Sequence, residues 1–432
     1  MLKTANRGIW KEEYAERDLK NITPPLLRKF GLNEASIKMV DNIDELRKNP
    51  PNIIVAESKK TFKFIQNFFK EQELKKRGRY VMGLGVFQQL QHAGQSKVKL
   101  LVPAPIKFNN IYRPYMGQEL KDGDSILIFR TGGIGDLLFI QPNLRYLKQK
   151  YPNCIIKFAC GPQYQSMVET WDCVDKMLDL PFTLRELMDS TYHILFEGVI
   201  ERCNQARFEN SYNLFSKWLG LDLPDELLIP KQTPKPELVE YCRKKLNEWD
   251  LNGNDFILMQ LRASSPIRTP RHEFWIKIIN ELNRRGYKVV LTDNPRQAEN
   301  IDEFIKMCEN KNMIFNFCQH SKSISYSIAL TSLAKSTIAT DSAINHIAAS
   351  VGVPCFAIMG PFPGYIRLKT YSKTYWVDAS RHCGPCFIHG HHPCSHAVDS
   401  YSPCYDELVE TGEKLKDLID KFENFLKEMN ND

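Results

Sequence analysis

The sequence predicts an α/β protein made of two Rossmann-like layers in tandem, facing each other across a cleft, with an additional N-terminal domain. Three observations predict it. Strand-like and helix-like runs alternate from residue 125 onward. A Pro- and Lys-rich stretch, IPKQTPKPE at 229–237, interrupts the alternation, which then restarts. Turns built from glycine or small residues stand where strands hand over to helices. The expected bounds are 1–120 for the N-terminal accessory domain, 121–235 for the first layer, 236–405 for the second layer with a Cys-rich segment, and 406–432 for a closing helix.

With 432 residues the chain can bury more than one core. At 43% hydrophobic, 25% charged and a mean hydropathy of −0.38, the composition excludes disordered and membrane-spanning classes. No apolar run approaches the roughly 20 residues that cross a bilayer. The opening MLKTANRGIWKEEYAERDLK is charged throughout and has no apolar signal region, so a cytoplasmic protein is expected. Net charge is +7. Basic clusters at 70–79 and at Arg284 and Arg285 suit either an anionic partner, such as a phosphate-rich ligand or a membrane surface, or ordinary solvated helix faces. The second reading is favoured.

In the first layer, the β-branched run 125–130 (SILIFR) predicts a buried strand, and 136–150 repeats apolar residues at helical spacing. A strand at 154–160, a helix at 163–170, a strand at 174–180, a short helix at 183–189, a strand at 192–198 and a long helix to Leu219 complete it. The 229–237 stretch reads as a linker. The second layer alternates strands at 256–262, 288–293, 313–318, 336–341 and 354–360 with helices at 272–285, 296–308, 323–335 and 343–351. Within 1–120 there are strand candidates at 52–57 and 98–104 and a basic amphipathic helix at 59–76. Residues 406–429 form an amphipathic closing helix.

Two turns carry chemistry. In TGGIGDLLFIQP (131–142), Gly132, Gly133 and Gly135 open a strand-to-helix turn on which a ligand can approach the main chain, and Asp136 follows at once. Asp136 is either the helix N-cap or a general base at the C-terminal edge of a sheet. The dinucleotide fingerprint is absent, which argues against an oxidoreductase. In the second turn a strand ends at Asp341, and the N–H groups of Ser342, Ala343 and Ile344 open a helix, a natural seat for a diphosphate. His346 is one turn into that helix, and its plain reading is a packed core histidine. Arg268, in the polar loop before Trp275, is either a phosphate ligand or part of an exposed basic loop, and Arg262 ranks behind it.

These segments carry a resemblance. RTGGIGDLLFIQPNLRYLKQKYP (130–152), SLAKSTIATDSAINHIAASVGVPCFAIMGP (332–361) and, more faintly, QLRASSPIRTPRHEFW (260–275) are similar to glycosyltransferase family 9, the bacterial lipopolysaccharide heptosyltransferases. The resemblance implies the GT-B fold and an inverting, metal-independent transfer of a sugar, heptose by family default, from a nucleotide-diphosphate donor to an acceptor hydroxyl. By residue match it implies Asp136 as catalytic base, with Gly132, Gly133 and Gly135 as the acceptor-side loop. Arg268, Asp341, Ser342, Ala343, Ile344, His346, Gly360 and Pro361 are the implied donor-binding residues. Ala343 stands where the family usually has glycine, and G-P-F-P-G (360–364) where it often has G-P-T-x-P. The implied partners are the sugar donor and an acceptor glycan or glycolipid, at a cytoplasmic location peripheral to the inner membrane face. Two alternatives stay in view: a non-catalytic sugar-nucleotide-binding or scaffolding protein, and a transferase acting on protein or a modified nucleic-acid base. The nucleic-acid partner is the less expected one.

Four of the twelve cysteines, Cys383, Cys386, Cys394 and Cys404, crowd into 382–404 beside five histidines. Four thiolates at such spacing can hold a structural zinc, although the second C-x2-C of a strong zinc signature is lacking. Reduced thiols are the favoured reading, with disulfide and iron–sulfur behind zinc. No cofactor is expected for the chemistry itself. The other eight cysteines read as small core residues.

Overall fold

The computed structural model describes residues 113–130, 132–178, 189–196, 199–200, 204–253, 255–379, 383–388, 394, 396–397 and 401–431, together with strand residues 53–56 and 98–101. The two N-terminal strand candidates exist and pair with each other. β1 (Ile53–Ala56) runs antiparallel to β2 (Val98–Leu101), with Ile53 opposite Leu101. The expected helices at 59–76 and 183–189 and the basic cluster at 70–79 lie outside the described residues.

The first layer is a four-stranded parallel sheet. It holds β3 (Ser125–Phe129), β4 (Ile155–Ala159), β5 (Lys176–Leu178) and β6 (Tyr192–Leu195) in the order β5-β4-β3-β6. Every residue of β3 is buried, as its apolar run from Ile126 to Phe129 requires of a central parallel strand covered on both faces. Helices α1 (Ile134–Lys150), α2 (Pro162–Val168) and α3 (Ser211–Trp218) belong to this layer. The order reverses between β3 and β6, so the loops after those two strands diverge and leave a crevice.

After α4 (Pro236–Asn247) the second layer is a six-stranded parallel sheet in the order β12-β11-β10-β7-β8-β9. Its strands are β7 (Phe256–Gln260), β8 (Lys288–Leu291), β9 (Ile314–Asn316), β10 (Ser336–Thr340), β11 (Cys355–Met359) and β12 (Thr374–Asp378). Its helices are α5 (His272–Arg284), α6 (Ala298–Lys306), α7 (Ile324–Thr331), α8 (Ala343–Val351) and α9 (Gly364–Leu368), and α10 (Gly412–Asn431) closes the chain. Here the reversal falls between β7 and β10. The loops that leave those strands, which carry Arg268 and Asp341, therefore open the second crevice.

The two layers share apolar packing. Phe139 of α1 and Tyr212 and Phe215 of α3 fall in one continuous cluster with Ile344 and Ile347 of α8 and with Tyr371. Polar bonds cross the same seam. Asn210 Nδ2 donates to the Tyr365 carbonyl at 3.0 Å, Ser325 Oγ to the Ser166 carbonyl at 2.7 Å, and Gln232 N to the Ser350 carbonyl at 2.9 Å. A second cluster holds α10 against the outer face of the large sheet, where Phe422 packs edge-on to Phe356.

Some expectations are corrected. The long helix ending at Leu219 is instead a 3-10 turn, Asn204–Arg207, followed by the short α3. Asn210 separates them, because its side chain accepts from Tyr212 N and caps α3 at that point. The linker ends at Lys235, since Pro236 opens α4 at the first helical position, where its missing N–H costs nothing. α9 and the half-exposed edge strand β12 had no sequence expectation. Arg284 and Arg285 do not form a free basic patch. Arg285 pairs with Glu281, Asp420 and Glu423, and Arg284 with Glu281 and Glu309.

Candidate active site

The glycine turn sits at the C-terminal end of β3. Gly133 caps α1 with a φ of 89°, a left-handed conformation that an L side chain adopts only under strain. Helix α1 therefore begins at Ile134, and Asp136 lies in its first turn rather than at the N-cap. The capping alternative for Asp136 is thereby removed. A carboxylate in a first turn also complements the helix dipole. Gly132 backs onto the ring of Tyr164, where a Cβ would come within 2.6 Å of Cε2. Gly135 faces the other layer, and a Cβ there would meet His346 Cδ2 at 2.9 Å.

Asp136 does not stand alone. Arg130, the last residue before the turn and 4% exposed, donates from Nη2 to Asp136 Oδ2 at 2.7 Å. The sequence alone assigns Arg130 no role. Its position directly before a glycine turn that carries a carboxylate was the available signal.

Across the cleft, β10 delivers Asp341 and α8 opens behind it. Ser342 is the N-cap, yet its side chain makes no capping bond. Its buried Oγ has no hydrogen-bond partner among the described residues. A buried hydroxyl and first-turn amides with no side-chain cap form an electropositive seat that suits an anion. Arg268 reaches this seat from the loop after β7. Its Nη1 donates to the Asp341 carbonyl at 3.0 Å and lies 3.3 Å from Oδ2 of the same residue, while Nη2 donates to Ser264 Oγ at 2.7 Å. From beneath the loop the buried Tyr405 hydroxyl donates to the Arg268 carbonyl at 3.4 Å.

His346 is 4% exposed and lies at the seam between the layers. Its Nδ1 is 2.9 Å from the Tyr371 hydroxyl and 3.3 Å from that of Tyr212, and its ring packs edge-on to Phe139. Burial pushes it down to about 4; Asp341 opposes the shift, and Arg367 and Arg268 add to it. It is a neutral imidazole at neutral pH. The core-histidine reading describes its packing, and its ring also borders the cleft.

These groups converge on one cavity of about 400 Å³, within the size range of small-molecule sites. Gly133, Gly135 and Asp136 line it from the first layer, and Arg268, Asp341, Ser342, Ala343 and His346 from the second. Gly132, Ile344, Gly360 and Pro361 are not among the lining residues. Gly360 instead packs against the Tyr405 hydroxyl, so its bare Cα serves the support of the Arg268 loop. Sequence reasoning missed Arg367, a 4% exposed guanidinium that lines the cleft, donates to Ser211 Oγ at 2.5 Å and lies over the Phe362 ring. No local pattern marks it. A cavity of about 800 Å³ adjoins the cleft and shares Arg262, Ala263 and Ser264 with it.

The Cys-rich segment is part of the same support, because Cys404 immediately precedes Tyr405. Burial pushes the Cys404 thiol up to about 11; the Ser402 hydroxyl opposes the shift, and the thiols of Cys394, Cys386 and Cys383 add to it. Among the described residues no group of three or more potential ligands is arranged to hold an ion. All eleven described cysteines are free thiols, and the seven outside this segment are buried, as expected of small core residues. No helix among the described residues is long and apolar enough to cross a membrane.

Comparison with known proteins adds the last observation. A family model described as glycosyltransferase family 9 (heptosyltransferase) matches residues 201–392. The resemblance to family 9 holds. The glycine turn lies outside the matched span, which covers Arg268, Asp341–His346 and the first two cysteines of the Cys-rich segment. Among solved structures, an Escherichia coli ADP-heptose lipopolysaccharide heptosyltransferase II superposes with a TM-score of 0.54 at 15% identity, over 71% of this chain and 99% of that one. A Veillonella parvula family 9 glycosyltransferase gives 0.52 at 13%, over 69% and 99%. TibC, described as an iron-containing dodecameric glycosyltransferase from enterotoxigenic E. coli, gives 0.50 at 15%, over 72% and 78%. At such identities the structural likeness speaks for the two-layer GT-B fold, and the family 9 match supports a glycosyltransferase. No curated protein matches the chain in a sequence comparison.

Proposed function

We propose that this family 9-like chain is an inverting glycosyltransferase that moves a sugar, heptose by the family's description, from a nucleoside-diphosphate donor to an acceptor hydroxyl. The observation that carries the reading is the single cleft in which the Asp136 carboxylate of one layer faces the α8 amino end and Arg268 of the other. Asp136 takes the proton of the acceptor hydroxyl. That oxygen attacks the anomeric carbon from the side opposite the diphosphate, the carbon–oxygen bond to the diphosphate breaks, and its electron pair leaves with the phosphate. The first-turn amides of α8, the Ser342 hydroxyl and Arg268 neutralise the charge that develops there. The reading gives this task to protein groups rather than to a metal ion.

The acceptor we assign is a glycan or glycolipid hydroxyl presented at the cytoplasmic side of a membrane. For Cys383, Cys386, Cys394 and Cys404 reduced thiols stay the favoured reading, and a structural metal is the second. Four thiolates suit zinc, and the iron-containing neighbour makes iron an equal choice. Such an ion would tie the Cys-rich segment beneath the Arg268 loop and take no part in the transfer.

The test is a screen of sugar nucleotides for thermal stabilisation, followed by product analysis with the best binder. Asp136→Asn should lower turnover about 10²- to 10⁴-fold while donor binding persists. Full activity in that variant would remove Asp136 as base. Donor binding by the native chain with neither hydrolysis nor transfer would favour a binding protein instead.

A further inference from the structure

Among the described residues the Arg130 side chain donates three hydrogen bonds from three different nitrogens. Nε donates to the Gly132 carbonyl at 3.0 Å, inside the glycine turn. Nη1 donates to the Phe196 carbonyl at 2.8 Å, at the end of the neighbouring strand β6. Nη2 donates to Asp136 Oδ2 at 2.7 Å. A guanidinium is planar, so fixing two of its nitrogens on main-chain carbonyls fixes the direction of the third. The carboxylate is thus referenced to the edge of the sheet at the crevice between β3 and β6, and not left to the rotamer freedom of a first-turn helical side chain.

The two carboxylate oxygens are not equivalent as a result. Oδ2 is engaged by Arg130, whereas Oδ1 has no hydrogen-bond partner among the described residues, and the Asp136 side chain keeps 24% exposure in the cleft. We propose that Arg130 is a positioning residue for the transfer: it occupies Oδ2 and so presents Oδ1 as the oxygen that receives the acceptor's proton. This rests on the reading of Asp136 as base. In the step, the acceptor O–H bond breaks and a new O–H bond forms at Oδ1. The freed electron pair makes the bond to the anomeric carbon, and the leaving diphosphate takes the pair of the bond it loses. Arg130 stays bonded to Oδ2 throughout and exchanges no proton.

The arrangement follows the general logic of activated sites, in which the reacting base is held by a third group and a misplacement of about 1 Å can cost about 10²-fold in rate. A purely structural arginine would hold the turn and the sheet edge together, and its loss would reach donor binding and stability as well as rate.

The experiment uses the full chain, with ADP-heptose as donor probe and released ADP as readout, and ADP binding measured by calorimetry. Arg130→Gln should lower kcat about 10²-fold, with KM for ADP-heptose and the affinity for ADP within about twofold of native. Arg130→Lys, which restores one charged donor, should recover part of kcat. In the Asp136→Asn background, Arg130→Gln should cost less than about twofold more, because a residue that acts only through Asp136 has nothing left to position. A multiplied loss in the double variant, an unchanged kcat in Arg130→Gln, or a loss confined to KM would overturn the proposal. If Arg130→Gln melts far below native, the Lys variant decides, and a native-like melt without recovered kcat counts against it. Should Asp136→Asn match the native chain, the base assignment fails first. Should Asp136→Asn be inactive while Arg130→Gln is fully active, only the positioning role fails.

Discussion

The Tyr212 hydroxyl of the first layer and Nδ1 of His346 in the second lie 3.3 Å apart, both buried, so the two halves of the cleft meet through a titratable ring. The Tyr371 hydroxyl, at 2.9 Å from the same nitrogen, holds the ring from its own side. The ring is therefore part of the seam as well as of the cleft wall.

This makes stability pH-dependent in a defined window. Burial lowers His346 from its ordinary 6.5 to about 4 in the folded chain. Between those values the unfolded chain binds a proton that the folded chain does not. The contribution is complete above about pH 6.5 and is lost progressively as pH falls to about 4, by at most about 3 kcal/mol. Melting temperature followed from pH 7 to pH 4 should fall more steeply in the native chain than in His346→Gln. Parallel curves would mean that the ring is not buried in neutral form.

Arg268 lines the cleft at the proposed phosphate seat, and it also compensates Asp341. Replacing it with Met removes charge-assisted hydrogen bonds and leaves that carboxylate facing the ligand. ADP affinity should fall about 10- to 100-fold by calorimetry. Arg268→Lys should recover part of it. Equal affinity for ADP in the native and Met proteins would place the diphosphate elsewhere.

The metal reading of the Cys-rich segment predicts metal content. Under it, protein purified without added metal carries roughly one zinc or iron per chain by elemental analysis. A Cys383→Ser, Cys386→Ser double variant should lose it, with a lower melting temperature and weaker ADP binding, because Tyr405 supports the Arg268 loop next to Cys404. Native protein whose four segment thiols all alkylate readily, and which contains no metal, would refute that reading.

Much of the fold is readable in the chain because parallel strands covered on both faces need unbroken apolar runs. β3 from Ile126 on and β11 have them and are fully buried, whereas β10 is as buried with Ser336, Thr337 and Thr340 in its run. The edge strand β12 lacks one, with burial only partial along its length, and it escaped notice for that reason. The glycine turn was legible as a place of close approach. What approaches Gly135 is the ring of His346, more than two hundred positions away, and no local pattern names that partner.

By itself the sequence determined where each strand meets its helix, and so which backbone turns carry Gly133, Asp136 and Ser342, because hydrophobic periodicity and glycine placement act over a few residues. Only the tertiary structure decided that Arg268 meets Asp341 across 73 positions, Tyr212 meets His346 across 134 and Arg367 meets Ser211 across 156. Those meetings follow from the strand order of two sheets and from apolar surface buried jointly by both layers, a free energy summed over the whole chain that leaves no mark on any one stretch of it.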